Sequence, residues 1–152
     1  MKEKNKLIQI ASILFIVVAV VTIILSIVNI NTSLSSMTNL TAQEAASVEA
    51  QLGEVDMTMD DAMGIVSSIA YVGVGLVVVF NAVRIVVGIL GLKKADQSSK
   101  FFTVWGIIFL VFGVLGLSGG IVSLLGLCNL VGGIVAPILF IVGGKQNQKP
   151  AA

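Results

Sequence analysis

Residues 101–144 read FFTVWGIIFLVFGVLGLSGGIVSLLGLCNLVGGIVAPILFIVGG, and none of these 44 residues is charged. A helix needs about 20 residues to cross the hydrocarbon core of a bilayer, so this stretch is long enough for two membrane spans. Glycines and serines, which weaken a helix, cluster between Leu117 and Ser123. The pattern predicts two spans, 101–118 and 122–144, joined by a short turn.

Two further apolar blocks precede this stretch. One covers residues 7–30, and the other covers 63–92 with interruptions at Asn81 and Arg84. Hydrophobic residues make up 57% of the 152-residue chain and charged residues 11%, and the mean hydropathy is +1.07. So few charges cannot cover the surface of a soluble domain of this size. We therefore predict an all-α membrane protein, a single domain over 1–152 that folds as a four-transmembrane-helix bundle.

Basic residues are confined to one side of this arrangement. Eight of the nine Lys and Arg residues lie before the first span, between the second and third spans, or after the fourth: Lys2, Lys4, Lys6, Lys93, Lys94, Lys100, Lys145 and Lys149. Segment 31–62 has no basic residue. The positive-inside rule then predicts a plasma-membrane protein with cytoplasmic N- and C-termini and an extracellular segment 31–62. The first block is too long for a signal-peptide core, which favours an uncleaved signal anchor.

Segment 31–62 is expected to form a small helical cap. Thr41 and Glu44 stand at the spacing of a capping box, and Gly53 can end a helix. Apolar residues recur between them at helical spacing: Ala45, Val48 and Leu52. A short amphipathic helix is therefore predicted over 41–52.

The helices on either side of this cap are expected to reach into it. Apolar residues recur at intervals of three and four beyond the first block, which predicts that the first helix continues past the membrane surface: Ile27, Ile30, Leu34 and Met37. Asp60 or Asp61 is expected to cap the second membrane helix.

Six acids lie in segment 31–62: Glu44, Glu49, Glu54, Asp56, Asp60 and Asp61. Their spacing does not match an EF-hand loop, which alternates ligands around a central glycine. We interpret them as a solvated acidic face with charges at helix N-termini, and a divalent-cation site is the alternative. No metal-binding residue is assigned.

Arg84 is the one charge within an apolar block, and Asn81 lies one turn before it. Charges within membrane spans are costly and mark functional sites. Three interpretations are open: a side chain that snorkels to the inner leaflet, a structural partner of Asn81 or a backbone carbonyl, and a contact with an anion or lipid phosphate. Arg84 and Asn81 are the candidate anion-contacting residues.

Fifteen of the sixteen glycines lie from Gly64 onward. Small residues let transmembrane helices approach closely, so these glycines are candidates for a helix-packing interface, either within the bundle or between copies of the chain. The candidates are Gly88, Gly91, Gly113, Gly116, Gly120, Gly132 and Gly133.

Pro137 is expected to kink the fourth span. Aromatic residues near the span ends are expected to act as interfacial anchors. They are Tyr71, Phe101, Phe102 and Trp105.

The sequence contains no histidine and one cysteine, Cys128. It therefore lacks the residues for a Cys/His zinc site, a histidine base or an intrachain disulfide. No nucleophile elbow or phosphate-binding loop occurs, and no Asp or Glu lies inside a predicted span, which argues against proton-coupled export. We expect no enzymatic activity and no cofactor. The net charge of +1 gives no reason to expect nucleic acid as a partner.

Two resemblances follow from these patterns. The cytoplasmic termini and the larger first outer segment resemble claudin-like topology, although the claudin outer-loop signature is absent from 31–62. The stretches 84–91 (RIVVGILG) and 136–145 (APILFIVGGK) resemble small uncharacterised bacterial four-helix membrane proteins. This second resemblance covers about 83–149 and implies a bacterial plasma membrane.

The sequence favours a non-enzymatic membrane scaffold or accessory protein that acts through helix–helix and outer-cap contacts. Its partners would be membrane lipids and either another membrane protein or further copies of the chain. The alternative is a small homo-oligomeric channel or transporter subunit with an anion path near Arg84. A bacteriocin-immunity or lysis-related protein is a third reading.

Overall fold

The computed structural model describes residues 4–116 and 123–148. Those residues form helices and short connections without a strand: α1 (Lys6–Thr38), α2 (Ala42–Gly53), α3 (Met59–Lys93), α4 (Phe101–Gly116), α5 (Leu124–Leu130) and α6 (Ala136–Gln148). A π-helical turn, Val131–Val135, joins α5 to α6. The predicted turn between the third and fourth spans lies mostly at 117–122, outside the described residues. The all-helical class is confirmed.

Three helical segments are long and apolar enough to cross a membrane: Lys6–Thr38, Met59–Lys93 and Leu124–Gln148. The fourth apolar helix, Phe101–Gly116, is shorter. The length and composition of these helices support a membrane protein.

Helix α1 continues past its apolar block, as predicted. Serine and threonine hydroxyls in its polar last turns donate to carbonyls three or four residues earlier, for example Thr32 to Val28 (3.0 Å) and Ser36 to Thr32 (2.9 Å). These bonds satisfy the hydroxyls within the helix. The apolar block at residues 7–30 therefore marks only the apolar part of α1 and not the whole helix.

Helix α3 begins at Met59 with Thr58 at its N-terminus. The Thr58 hydroxyl accepts from the Asp61 N–H (3.2 Å), and the Asp61 carboxylate accepts from the Thr58 N–H (3.3 Å). Asp61 therefore takes part in the cap, as predicted, but it does so from inside the first turn, and Thr58 is the residue that precedes the helix.

The chain divides into two units. The bundle unit comprises Met1–Ile23 and Phe80–Ala152, and the hairpin unit comprises Ile24–Val79. Every buried residue in the described part of the chain belongs to the bundle unit. None of the residues 24–79 is buried.

Phenylalanine rings fill the centre of the bundle unit. Phe15, Phe102, Phe109 and Phe140 are fully buried. Their rings meet edge to face, with centroids 5.0 Å apart for Phe15 and Phe109 and 5.1 Å apart for Phe102 and Phe140. Such pairs are favourable beyond simple area burial. Phe102 was predicted to be an interfacial anchor, and this is wrong because its ring lies in this core.

Glycines make room for these rings and for close helix contacts. A Cβ at Gly91 would lie 2.8 Å from the Phe140 ring, and one at Gly144 would lie 2.5 Å from Cβ of Phe102. A Cβ at Gly113 would overlap the backbone of Gly133. In a membrane, lipid surrounds apolar side chains whether or not the helices associate, so there is no hydrophobic driving force between them. Close van der Waals packing of this kind helps to hold membrane helices together instead.

Candidate functional site

Arg84 lies inside the bundle unit and is 3% exposed. Its guanidinium carbon is 5.2 Å from the centre of the Phe80 ring and 5.7 Å from that of Phe109. Both distances fit cation–π contacts. The snorkelling interpretation is wrong, since a snorkelling side chain would carry its charge to the surface of the bundle.

The guanidinium also faces the π-helical turn. A Cβ at Gly132 would lie 3.4 Å from one terminal nitrogen of Arg84, and a Cβ at Gly133 would lie 3.5 Å from the other. Ala136 donates to the carbonyl of Val131, five residues back, and Pro137, which has no N–H, follows directly. The ring of a proline conflicts with the carbonyl four residues earlier, and a widened turn relieves this conflict.

Arg84 has no acidic neighbour within the described part of the bundle unit. The only acid there is Asp96, in the connection between α3 and α4. The Nε of Arg84 is buried without a hydrogen-bond partner. A full positive charge thus lies among aromatic rings and glycine backbone.

Further buried polar groups lie on α3 and α1 of the bundle unit. Asn81 is 3% exposed, on the same face of α3 as Arg84. On α1, the hydroxyls of Ser12 and Thr22 are buried without a hydrogen-bond partner. The structure therefore places the predicted pair Asn81 and Arg84 together on one buried face of α3. Thr22 lies on α1 four residues after Val18, whose side chain meets Gly132.

Sequence reasoning missed the rings around Arg84. Phe80 lies four residues before Arg84 on α3, so helical spacing alone could have identified it. Phe109 belongs to α4, and no local signal connects it to Arg84. Which helices face each other is a property of the packing.

A second polar cluster ties the ends of three chain segments together. The Asn5 side chain donates to the Asn147 side chain (3.0 Å), and the Asn5 N–H donates to the carbonyl of Ala95 (3.0 Å). The Asn147 amide donates to the same carbonyl (2.9 Å). We call Asn5, Ala95 and Asn147 the end clasp. Each of its residues lies within two positions of a lysine: Lys4 and Lys6, Lys94, and Lys145.

The predicted capping box is present at the start of α2. The Glu44 carboxylate accepts from the Thr41 N–H (2.9 Å), and the Thr41 hydroxyl accepts from the Glu44 N–H. Hydrogen bonds from the Thr41 side chain and backbone hold the pKa of Glu44 below its ordinary value of 4.5. Ala45, Val48 and Leu52 are the partly buried residues of α2, which confirms its amphipathic pattern.

No group of three or more His, Cys, Asp or Glu side chains able to hold a metal ion occurs among residues 4–116 and 123–148. Cys128 is a free, half-buried thiol.

The glycines divide sharply by environment. Gly88, Gly91, Gly113, Gly116, Gly132 and Gly133 all lie against other parts of the same chain, and Gly120 falls outside the described residues. By contrast, Gly64, Gly73 and Gly75 on α3 have nothing within 4 Å of an added Cβ. The glycines on α3 with open space around them are therefore not among the helix-packing candidates predicted from the sequence.

Large apolar residues run along α3 of the hairpin unit beside these glycines. Their exposed fractions are between 49% and 67%, and they follow one another at intervals of 4, 3, 4 and 3 residues: Ile65, Ile69, Val72, Leu76 and Val79. We call this row the α3 stripe. Such spacing places side chains on a single helix face and is typical of a seam that packs against another helix.

No protein-family model, curated protein or solved structure matches this chain at a significant level.

Proposed function

We propose that this chain is a non-enzymatic scaffold or accessory protein of the plasma membrane, which spans the bilayer four times and binds another membrane protein. The observation that supports this most directly is the exposed α3 stripe. It is a helix-packing face without a helix against it in the described chain.

The end clasp supports an orientation for the protein. It joins the three lysine-bearing segments at one end of the bundle unit. Because lysines are enriched on the cytoplasmic side of membrane proteins, this end would lie in the cytoplasm, with α2 outside.

The lengths of α1 and α3 support the view that part of the α3 stripe lies beyond the lipid. These helices contain 33 and 35 residues. At 1.5 Å per residue each is about 50 Å long, whereas the hydrocarbon core is about 30 Å thick. Measured from the clasped end, about a dozen residues of each helix would extend past the core. Lipid would not cover Ile65 and Ile69 there.

The partner that best fits this face is a helix with a basic outer end. Segment 31–62 contributes six acids and no base. Two copies docked through α3 would bring these like charges together, which disfavours self-association. A partner helix that carries Lys or Arg next to its membrane span would complement them, and Gly64, Gly73 and Gly75 would allow close approach.

The proposal is tested by native mass spectrometry of the protein gently extracted from its own membrane. The variant Ile69→Ser removes a central residue of the stripe, and Ile107→Ser on α4 is the control because Ile107 is also an exposed isoleucine, at 51% against 67% for Ile69. We expect a complex with a second protein for the wild type and for Ile107→Ser, and its loss for Ile69→Ser. A chain that is recovered alone, or only with copies of itself, would contradict the proposal.

The buried Arg84 favours a second candidate, a small channel or transporter subunit that conducts anions. Purified protein in liposomes would then pass anions, and Arg84→Ala would abolish the flux. Absence of flux for every anion tried would remove this candidate and leave the scaffold proposal intact.

A further inference from the structure

The charge of Arg84 needs a counter-charge, and no acidic side chain among residues 4–116 and 123–148 of the bundle unit supplies one. Arg84 lies nine residues before Lys93, the last residue of α3, which is about 14 Å along the helix axis. It is therefore well inside the membrane part of the bundle if the clasped end marks the membrane surface. An isolated charge in such surroundings is strongly disfavoured unless an opposite charge accompanies it.

Neither an acidic side chain nor a lipid headgroup is placed to provide that counter-charge. Asp96 is separated from Arg84 by the rest of α3, and the next acid before it in the sequence is Asp61. Phospholipid phosphates lie outside the hydrocarbon core. The rings of Phe80 and Phe109 stabilise the guanidinium through their quadrupoles, but they carry no net charge.

Unused hydrogen-bond donors are present in the same part of the bundle. The Nε–H of Arg84 has no partner, and neither does the hydroxyl of Thr22. Ser12 on α1 meets Gly88 and Gly91 of α3, and Val18 meets Gly132, which faces Arg84. This antiparallel register places Thr22, one turn beyond Val18, near the level of Phe80 and Asn81.

We propose that the bundle unit binds one small monovalent inorganic anion, such as chloride, at the guanidinium of Arg84. The Nε–H of Arg84 donates to the ion, and the Thr22 hydroxyl is a second donor. Because both groups are shielded from solvent, the ion enters without its water. Weakly hydrated anions therefore bind more tightly than strongly hydrated ones, with iodide before chloride and chloride before fluoride. This inference does not depend on the scaffold proposal.

Trp105 provides a reporter for the ion. It is the only tryptophan, and its ring centre is 5.5 Å from that of Phe109, the ring that contacts Arg84. Iodide quenches indole fluorescence. The experiment titrates iodide against gluconate, a large anion, at constant ionic strength, with the protein in a phosphate-free detergent. We expect a saturable quenching component that chloride displaces.

Two variants test the assignment to Arg84. Arg84→Met removes the guanidinium, whereas Lys93→Met removes one positive charge at the end of the same helix. We expect saturable quenching to weaken by about tenfold or more in Arg84→Met, the usual loss for a charge-assisted hydrogen bond, and to remain in Lys93→Met. Equal binding by Arg84→Met and the wild type would overturn the proposal. If Arg84→Met does not fold, the wild type alone tests the proposal. Wild-type quenching that rises linearly with iodide concentration, without competition by chloride, would also overturn the proposal.

A second version of the titration distinguishes binding of a free ion from binding of a lipid phosphate. The titration is repeated in nanodiscs of phosphatidylcholine and of phosphatidylglycerol. Saturable quenching retained in both supports a free-ion site. Its loss in both would show that a lipid phosphate occupies the guanidinium and would overturn the proposal.

Discussion

Gly113 has only a hydrogen atom where other residues have a methyl or a larger group. This allows α4 to lie directly against the π-helical turn. Backbone rather than a flexible side chain stands opposite, so a Cβ cannot be accommodated by a change of rotamer. Arg84 depends on the same feature, since its guanidinium lies over Gly132 and Gly133 in that turn. Single small residues thus determine how closely the helices of the bundle unit approach.

Gly113→Ala is predicted to destabilise the protein, because the new Cβ would overlap the backbone of Gly133. Overpacking of this kind typically lowers the free energy of unfolding by about 1–3 kcal/mol. The matched control is Gly75→Ala on α3, where an added Cβ meets nothing, and we expect it to stay within about 0.5 kcal/mol of the wild type. Thermal unfolding in detergent measures both. Equal effects of the two substitutions would contradict the packing described at Gly113.

At the scale of one element, α2 depends on the capping box formed by Thr41 and Glu44. The helix has 12 residues and no buried side chain, so packing contributes little to it. Helices of this length are marginal in water, and a good N-cap typically contributes about 1 kcal/mol. Local hydrogen bonds therefore have a large influence on whether α2 forms.

Acid is predicted to loosen α2. Since the capping hydrogen bonds hold the pKa of Glu44 below its unfolded value, the stabilisation is complete above pH 4.5 and is lost as the pH falls through the folded value. Amide exchange in α2, corrected for its intrinsic pH dependence, should become faster between pH 6 and pH 3. Glu44→Gln should remove this pH dependence. Glu49→Gln, in the same helix but away from its N-terminus, should retain it.

At the scale of the whole chain, the end clasp joins segments that are more than fifty residues apart in sequence, such as Asn147 and Ala95. It thereby gathers the lysine-bearing ends that the charge pattern assigns to one side of a membrane. The proposed orientation follows from this arrangement and can be tested with two serines of matched chemistry.

Ser47→Cys in α2 and Ser98→Cys between α3 and α4 are compared in a Cys128→Ala background, which leaves one thiol in each protein. Both serines are exposed. A membrane-impermeant maleimide applied to intact cells should label Ser47→Cys, and it should label Ser98→Cys only after permeabilisation. The reverse pattern would place the lysine-bearing ends outside and overturn the orientation.

Much of the fold was predictable because it depends on local or compositional properties. Apolar blocks identified the helices that are long and apolar enough to cross a membrane, since about 20 consecutive apolar residues have few other uses. The capping box of α2 was predicted correctly because its two partners are three residues apart. The continuation of α1 past its apolar block was predicted as well, because apolar residues recur at helical spacing as far as Met37.

The sequence by itself determined the helical class, the approximate positions of the long apolar helices and the cap of α2, all of which rest on contacts within a few residues or on composition. Only the tertiary structure decided that Arg84 is enclosed by Phe80 and Phe109, that Phe102 is buried, and that Gly64, Gly73 and Gly75 are open. The physical reason is that a helix in an apolar chain is hydrophobic on all sides. Its sequence then contains little information about which face meets a neighbour, and close packing between glycine and phenylalanine makes that choice.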